Sequence, residues 1–269
     1  MEKAIYAKQM NVHIGSFTLN NINVEIPKGK MTAIVGPNGS GKSTFLKVIS
    51  RLVKPEFGEV MIEQKELDAY KAKEFAQTLA MMPQSKQSLP NLTVKELIQY
   101  GRSPYKRFFE HHTNPEDQEI VEWAMAITGT VKHKDRFFHT LSGGEQQKVR
   151  IALALAQKTN ILLLDEPTTF LDITHQLELM ELLEEVNVNH GMTIVMVLHE
   201  LQQAAAYCHH LIAMQKGMVV STGPPIEMLT PLFLKEIYQI EAKIIYEDNY
   251  PLIVPLKGQY HLSQQKQAL

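Results

Sequence analysis

The sequence predicts an α/β fold: a mixed sheet core with an N-terminal antiparallel β part and an inserted helical subdomain. Three observations carry this. The apolar runs Met31–Val35, Ile161–Leu164 and Thr193–Leu198 are too short for ordinary helices and read as buried strands. They alternate with helical stretches, the pattern of a parallel sheet flanked by helices. Between residues 85 and 155 the texture changes to capped helices.

In order, residues 4–30 read as edge strands of the mixed sheet. Ile22, Val24 and Ile26 alternate with polar residues, and Pro27-Lys28-Gly29-Lys30 turns the chain into the strand 31–35. A helix is predicted over Phe45–Leu52, stopped near Pro55. Glu59–Ile62 is a short strand, Lys71–Thr78 a helix and Leu79–Met82 a buried strand whose methionines serve the core. Thr93-Val94-Lys95-Glu96 is a capping box whose helix should stop at Gly101. Asn114-Pro115 supplies an N-cap and a first helical residue, with that helix ending near Gly129. A helix from Asp172 to Asn189 separates the last two buried strands. Gly217 marks a hairpin between His210–Gln215 and Met218–Thr222. Thr230-Pro231 opens a short helix, Lys243–Val254 forms a final strand pair, and Gln259–Leu269 reads as a polar, disordered tail.

At 269 residues the chain can bury a sizeable core. A net charge of −2 gives no electrostatic reason to expect nucleic acid as a partner. The single cysteine, Cys208, excludes an internal disulfide and fits a reducing compartment. No signal-like apolar region opens the sequence, and no apolar run approaches the ~20 residues that span a bilayer. The expectation is a soluble, cytoplasmic protein whose membrane role, if any, comes through a partner.

Residues Gly36-Pro37-Asn38-Gly39-Ser40-Gly41-Lys42-Ser43-Thr44 fit G-x-x-x-x-G-K-[S/T], between a strand and a helix. Glycines let the backbone curl so that several N–H groups face one anion, and the helix N-terminus adds its positive end. Lys42 is expected on the β- and γ-phosphates and Ser43 on Mg²⁺. Four apolar residues lead into Asp165-Glu166, at the carboxyl end of a buried strand, where such sheets bind ligands. Beside a phosphate loop, Asp165 is the expected Mg²⁺ partner and Glu166 the group that orients and deprotonates the attacking water. Ser142-Gly143-Gly144-Glu145, within Leu141–Gln147, offers hydroxyl and amide donors at another helix start. A second phosphate site so far along the chain makes little sense for one nucleotide in a monomer.

Leu141-Ser142-Gly143-Gly144-Glu145-Gln146-Gln147 resembles the signature motif of ATP-binding cassette (ABC) proteins. The resemblance spans roughly residues 4–225 and implies a P-loop NTPase cassette with a RecA-like core. Its expected organisation is one nucleotide-binding domain over 1–269: an ATP-binding core at 1–85 and 158–225, the helical subdomain at 86–157 and a small C-terminal extension at 226–269. In this family two cassettes pair head to tail. Each ATP lies between one phosphate loop, here Gly36–Thr44, and the partner's signature, here Ser142, Gly143, Gly144 and Glu145. The resemblance further makes Gln84 the Q-loop glutamine on Mg²⁺ and water, Asp172 the D-loop residue of the dimer interface and His199 the switch histidine on the γ-phosphate. One departure stands out: Ile14 occupies the place of the aromatic that usually stacks on adenine, and His13 or Phe17 is left to supply a face.

Thr93–Tyr105 resembles the T-V-x-E-L-V-x-x-G-R-x-P-Y segment of ATPases serving ferric-siderophore, haem and cobalamin permeases, and Val197–Leu201 with Ala205, Tyr207 and Cys208 also resembles that group. This implies an ATP-hydrolysing importer subunit, with a ferric siderophore as the leading cargo and cobalamin or haem as alternatives. It would sit on the cytoplasmic face of the membrane against permease subunits, paired with a second copy or a related ATPase, and meet a substrate-binding lipoprotein indirectly. Phe108-Phe109 lies either on the permease surface or in ordinary packing. A non-transport ABC ATPase and a phosphate-loop kinase are the rivals; the first leaves Thr93–Tyr105 unexplained, the second the signature and His199. His111-His112 and His209-His210 lack the spacing of a metal site.

Overall fold

The computed structural model describes residues 2–84, 91–106, 114–247 and 250–256. Phe108-Phe109, His111-His112 and the tail from Gln259 lie outside them. The strands are β1 (Lys3–Ile14), β2 (Phe17–Pro27), β3 (Met31–Val35), β4 (Phe57–Ile62), β5 (Lys65–Glu66), β6 (Leu79–Met82), β7 (Ile161–Asp165), β8 (Thr193–Val197), β9 (His210–Gln215), β10 (Met218–Gly223), β11 (Ala242–Glu247) and β12 (Tyr250–Pro255). The α-helices are α1 (Lys42–Ile49), α2 (Ala72–Thr78), α3 (Val94–Gln99), α4 (Pro115–Ile127), α5 (Gly143–Ala156), α6 (Ile173–His190), α7 (Leu201–Tyr207), α8 (Pro225–Met228) and α9 (Pro231–Tyr238).

The main sheet runs β10-β9-β3-β8-β7-β6, parallel from β9 to β6 with β10 antiparallel at one edge. Every residue of β3, β7 and β8 is buried, which is why these strands read as unbroken apolar runs. Their two faces feed two cores. Ile34, Leu163 and Val195 point to the core around α1, while Ala33, Leu162, Leu164 and Met196 point to the one under α3 to α6.

Residues 4–30 depart from their reading as edges of this sheet. β1 and β2 instead join β4 and β5 in a separate antiparallel sheet, ordered β2-β1-β4-β5. Its inner face, Ile5, Met10, Leu19, Ile22 and Ile62, packs with Phe45, Leu46 and Ile49 of α1. The phosphate-loop helix is therefore held between two sheets.

Two helix limits also differ from expectation. α1 starts at Lys42, directly after Gly41 in the left-handed conformation (φ 105°), three residues before the predicted start. Lys42-Ser43-Thr44 shows no apolar periodicity because the donors of this first turn face a ligand site. The helix ends at Ile49, where Arg51 turns left-handed (φ 61°), well before Pro55. Gly101 does not cap α3. It lies within a 3₁₀ turn, Tyr100–Tyr105, where a Cβ would stand 2.4 Å from the Leu153 carbonyl oxygen of α5. Its smallness lets the two segments meet. Beside it Arg102 is buried, donating to Asp117 of α4 at 2.6 Å and to the Ala156 carbonyl of α5 at 3.0 Å. Within the importer-like segment Arg102 therefore knits the helical region together.

Candidate functional site

Four parallel strands end side by side, and each delivers one expected group at its carboxyl end: β3 the phosphate loop, β6 Gln84, β7 Asp165-Glu166 and β8 His199. This is where a parallel sheet places its ligands. A cleft of about 220 Å³ is lined by Phe17, Asn38, Gly39, Gly41, Lys42, Ser43, Thr44 and Glu166.

Lys42 folds back over the loop. Its buried Nζ donates to the carbonyls of Gly36 at 2.8 Å and Pro37 at 3.0 Å. Burial pushes the ammonium below its ordinary pKa, while Glu166 and Asp165 pull the other way. Ser43 Oγ donates to Asp165 Oδ1 at 2.8 Å. Burial raises the Asp165 carboxyl above the usual range, opposed by that hydrogen bond.

These hard oxygen donors fit Mg²⁺. A buried carboxylate raised by desolvation gains from a cation beside it, and Ser43 adds a neutral oxygen. Gln84 donates its Nε2 to Glu166 Oε2 at 2.5 Å, which leaves the amide oxygen as the atom that could ligate a cation.

Glu166 is the meeting point of the site. His199 Nε2 lies 2.7 Å from its Oε1, while Gln84 and the Thr169 hydroxyl (3.2 Å) donate to its Oε2. Its backbone is left-handed (φ 54°), an uncommon conformation for a residue other than glycine. Sequence reasoning missed Thr169 because a threonine two places past Pro167 carries no spacing signal; only the fold of 166–172 turns its hydroxyl onto the carboxylate.

The signature residues lie elsewhere. Ser142, Gly143, Gly144 and Glu145 are not among the residues lining the phosphate-loop cleft. Ser142 caps α5, and a reciprocal bond runs from the Ser142 N–H to Glu145 Oε2 at 2.9 Å. Gly143 lines a second cleft of about 300 Å³ that includes Gln84, Gln147, Asp165, Glu166, Thr169 and Phe170. Asp172 caps α6, accepting the His175 N–H at 2.9 Å beside the exposed Phe170 and Ile173. At the position where the resemblance expects adenine, Ile14 is exposed, His13 engages the Thr18 hydroxyl, and Phe17 is the one of the three that lines the cleft. His209 Nδ1 accepts the Met31 N–H at 3.2 Å, tying it to β3.

The ABC transporter family model matches residues 19–169, from β2 through the phosphate loop and signature to Thr169. The chain belongs to the ABC transporter family. It is 42% identical over 243 residues, 90% of each chain, to the iron(3+)-hydroxamate import ATP-binding protein of Bacillus subtilis (strain 168). It is 43% identical over 252 residues, 93% of each chain, to the ferric enterobactin transport ATP-binding protein of Escherichia coli (strain K12). Among solved structures it resembles a dimeric ATP-binding cassette in a post-hydrolysis state bound to ADP and Pi, with TM-score 0.70, 28% identity and coverage of 82% of this chain and 98% of that one. The α/β architecture is that of an ABC cassette, and among the described residues no helix is long and apolar enough to cross a membrane.

Proposed function

We propose that this chain is the ATP-hydrolysing subunit of an ABC importer for ferric siderophores, acting as a single nucleotide-binding domain over residues 1–269. The observation that carries the chemistry is the grip on Glu166 by His199, Gln84 and Thr169 at the rim of the phosphate-loop cleft. Gly36–Thr44 cradle the phosphates of ATP through backbone N–H groups, with Lys42 on the β- and γ-phosphates. Ser43, Asp165 and Gln84 are the residues that would hold Mg²⁺, whose charge offsets that of the phosphate oxygens.

Glu166 orients a water in line with the γ-phosphorus and takes its proton. The new O–P bond forms as the bond to the β,γ-bridging oxygen breaks, and ADP leaves. His199 meets the carboxylate oxygen opposite the one Gln84 holds and is assigned to the γ-phosphate. Positioning and charge stabilisation supply most of the rate.

Ser142, Gly143 and Gly144 are assigned to the nucleotide of a second cassette, a copy of this chain or a related ATPase, with Asp172 at the dimer interface. The side chain of Glu145 serves the turn that presents those donors. A carboxylate has no hydrogen to offer a phosphate. The two siderophore-related relatives support the cargo. In this reading the chain works against membrane permease subunits at the cytoplasmic face, and a binding lipoprotein delivers the cargo.

The test is Glu166→Gln. ATP binding is expected to persist while turnover falls to background, and normal turnover would remove Glu166 from the role of base. For the cargo, ATPase activity of the chain co-purified with its permease is expected to rise with a ferric-siderophore-loaded binding protein. Stimulation by cobalamin or haem instead would reassign the importer.

A further inference from the structure

Residues 166–172 carry Glu166 and Asp172 through two non-glycine left-handed residues, Glu166 (φ 54°) and Phe170 (φ 67°). Such backbone persists where surrounding structure over-determines it. Here the surrounding structure includes glutamines from three helices. Gln147 of α5 donates to the Pro167 carbonyl at 2.6 Å. Gln176 of α6 donates to the Leu171 carbonyl at 3.1 Å and lies 3.5 Å from that of Thr168. Gln203 of α7, 6% exposed, donates to Gln176 Oε1 at 2.7 Å.

The orientation of both amides follows from chemistry. Backbone carbonyls only accept, so the Gln176 amide must turn its NH₂ toward Leu171 and its oxygen toward Gln203. Gln203 must then present its own NH₂. α7 begins two residues after His199, which lies on Glu166. The contacts close a ring from Glu166 to His199, along the chain into α7, through Gln203 and Gln176 to Leu171, and back along the backbone to Glu166.

We infer that Gln176 and Gln203 form a positioning relay that fixes Glu166 relative to His199 and ties the Asp172 loop to the switch segment. Neither glutamine lines the phosphate-loop cleft, so the relay acts on the hydrolytic geometry and leaves the grip on ATP alone. The inference rests on the assignment of Glu166 as base.

The experiment uses the full chain assembled with its permease. Gln176→Leu, Gln203→Leu, Gln203→Met and the double Gln176→Leu/Gln203→Leu are compared for kcat, KM for ATP and melting temperature. The double variant replaces the amide pair by an apolar pair and keeps the fold testable if a single variant is lost. Each variant is expected to lower kcat roughly tenfold with KM unchanged within about twofold. The double is expected to be no worse than Gln176→Leu, because both break one chain of contacts. Folded variants with normal kcat, losses shared between kcat and KM, or additive losses would overturn the relay. Glu166→Gln, run in parallel, separates the two ideas. If it turns over normally, the base assignment fails; if it is dead while the glutamine variants are normal, only the relay fails.

Discussion

The chain builds two glycine-bearing loop-to-helix junctions suited to anions, and they differ in how they treat their own donors. At the start of α1 the N-cap is Gly41, with no side chain to accept a hydrogen bond, and Lys42 turns back onto the loop carbonyls. At the start of α5 the cap is Ser142, whose hydroxyl accepts the Glu145 N–H while Glu145 accepts the Ser142 N–H. The first junction leaves backbone donors for a ligand. The second satisfies part of its own requirement and so is stable before any phosphate arrives. A helix N-terminus is thus a strong anion site or a self-contained one depending on a single residue, the cap.

Removing Lys42 should separate the junctions most. Lys42→Ala is expected to cost about 3 kcal/mol of ATP binding, roughly a hundredfold in Kd, since it strips the charged partner from a desolvated site. Fluorescent-nucleotide titration reads this directly, and affinity within a few-fold of native would deny the loop its role.

Ser142→Ala should do the reverse. It is expected to leave nucleotide binding at the phosphate loop intact, reduce hydrolysis by the paired cassettes, and lower the melting temperature by about 2–4 °C, the loss of a cap worth ~1 kcal/mol. Weakened binding in the isolated chain would mean that the signature serves its own phosphate loop.

Asp165→Asn gives the smallest stability effect, with a pH signature. Burial raises the folded pKa of Asp165. The stability linked to this group is therefore fully present below its unfolded pKa and is lost as pH rises through the folded value. Removing the charge should raise the melting temperature of the nucleotide-free chain at neutral pH, and the gain should vanish in acid. Turnover should be lost throughout. A gain that persisted unchanged in acid would point to packing instead of charge.

The clearest part of the sequence was local. Gly36–Thr44, the three buried strands, the capping box at Thr93 and the hairpin at Gly217 are each written in adjacent residues, because turn chemistry, capping and strand burial are short-range properties. The family motifs extended the expectation to Gln84, Asp172 and His199, to which no spacing alone would point.

Tertiary structure decided what depends on partners far along the chain. β1 pairs with β4 as well as β2, and this moved residues 4–30 out of the main sheet. Gly101 serves the approach of α5, and Arg102 finds Asp117 and the end of α5. Thr169 reaches Glu166 because residues 166–172 fold back, and Gln203 reaches Gln176 across two helices. A sequence states which donors and acceptors a chain owns and which short elements they favour; which distant donor meets which acceptor is settled only when the sheet brings the ends of β3, β6, β7 and β8 together.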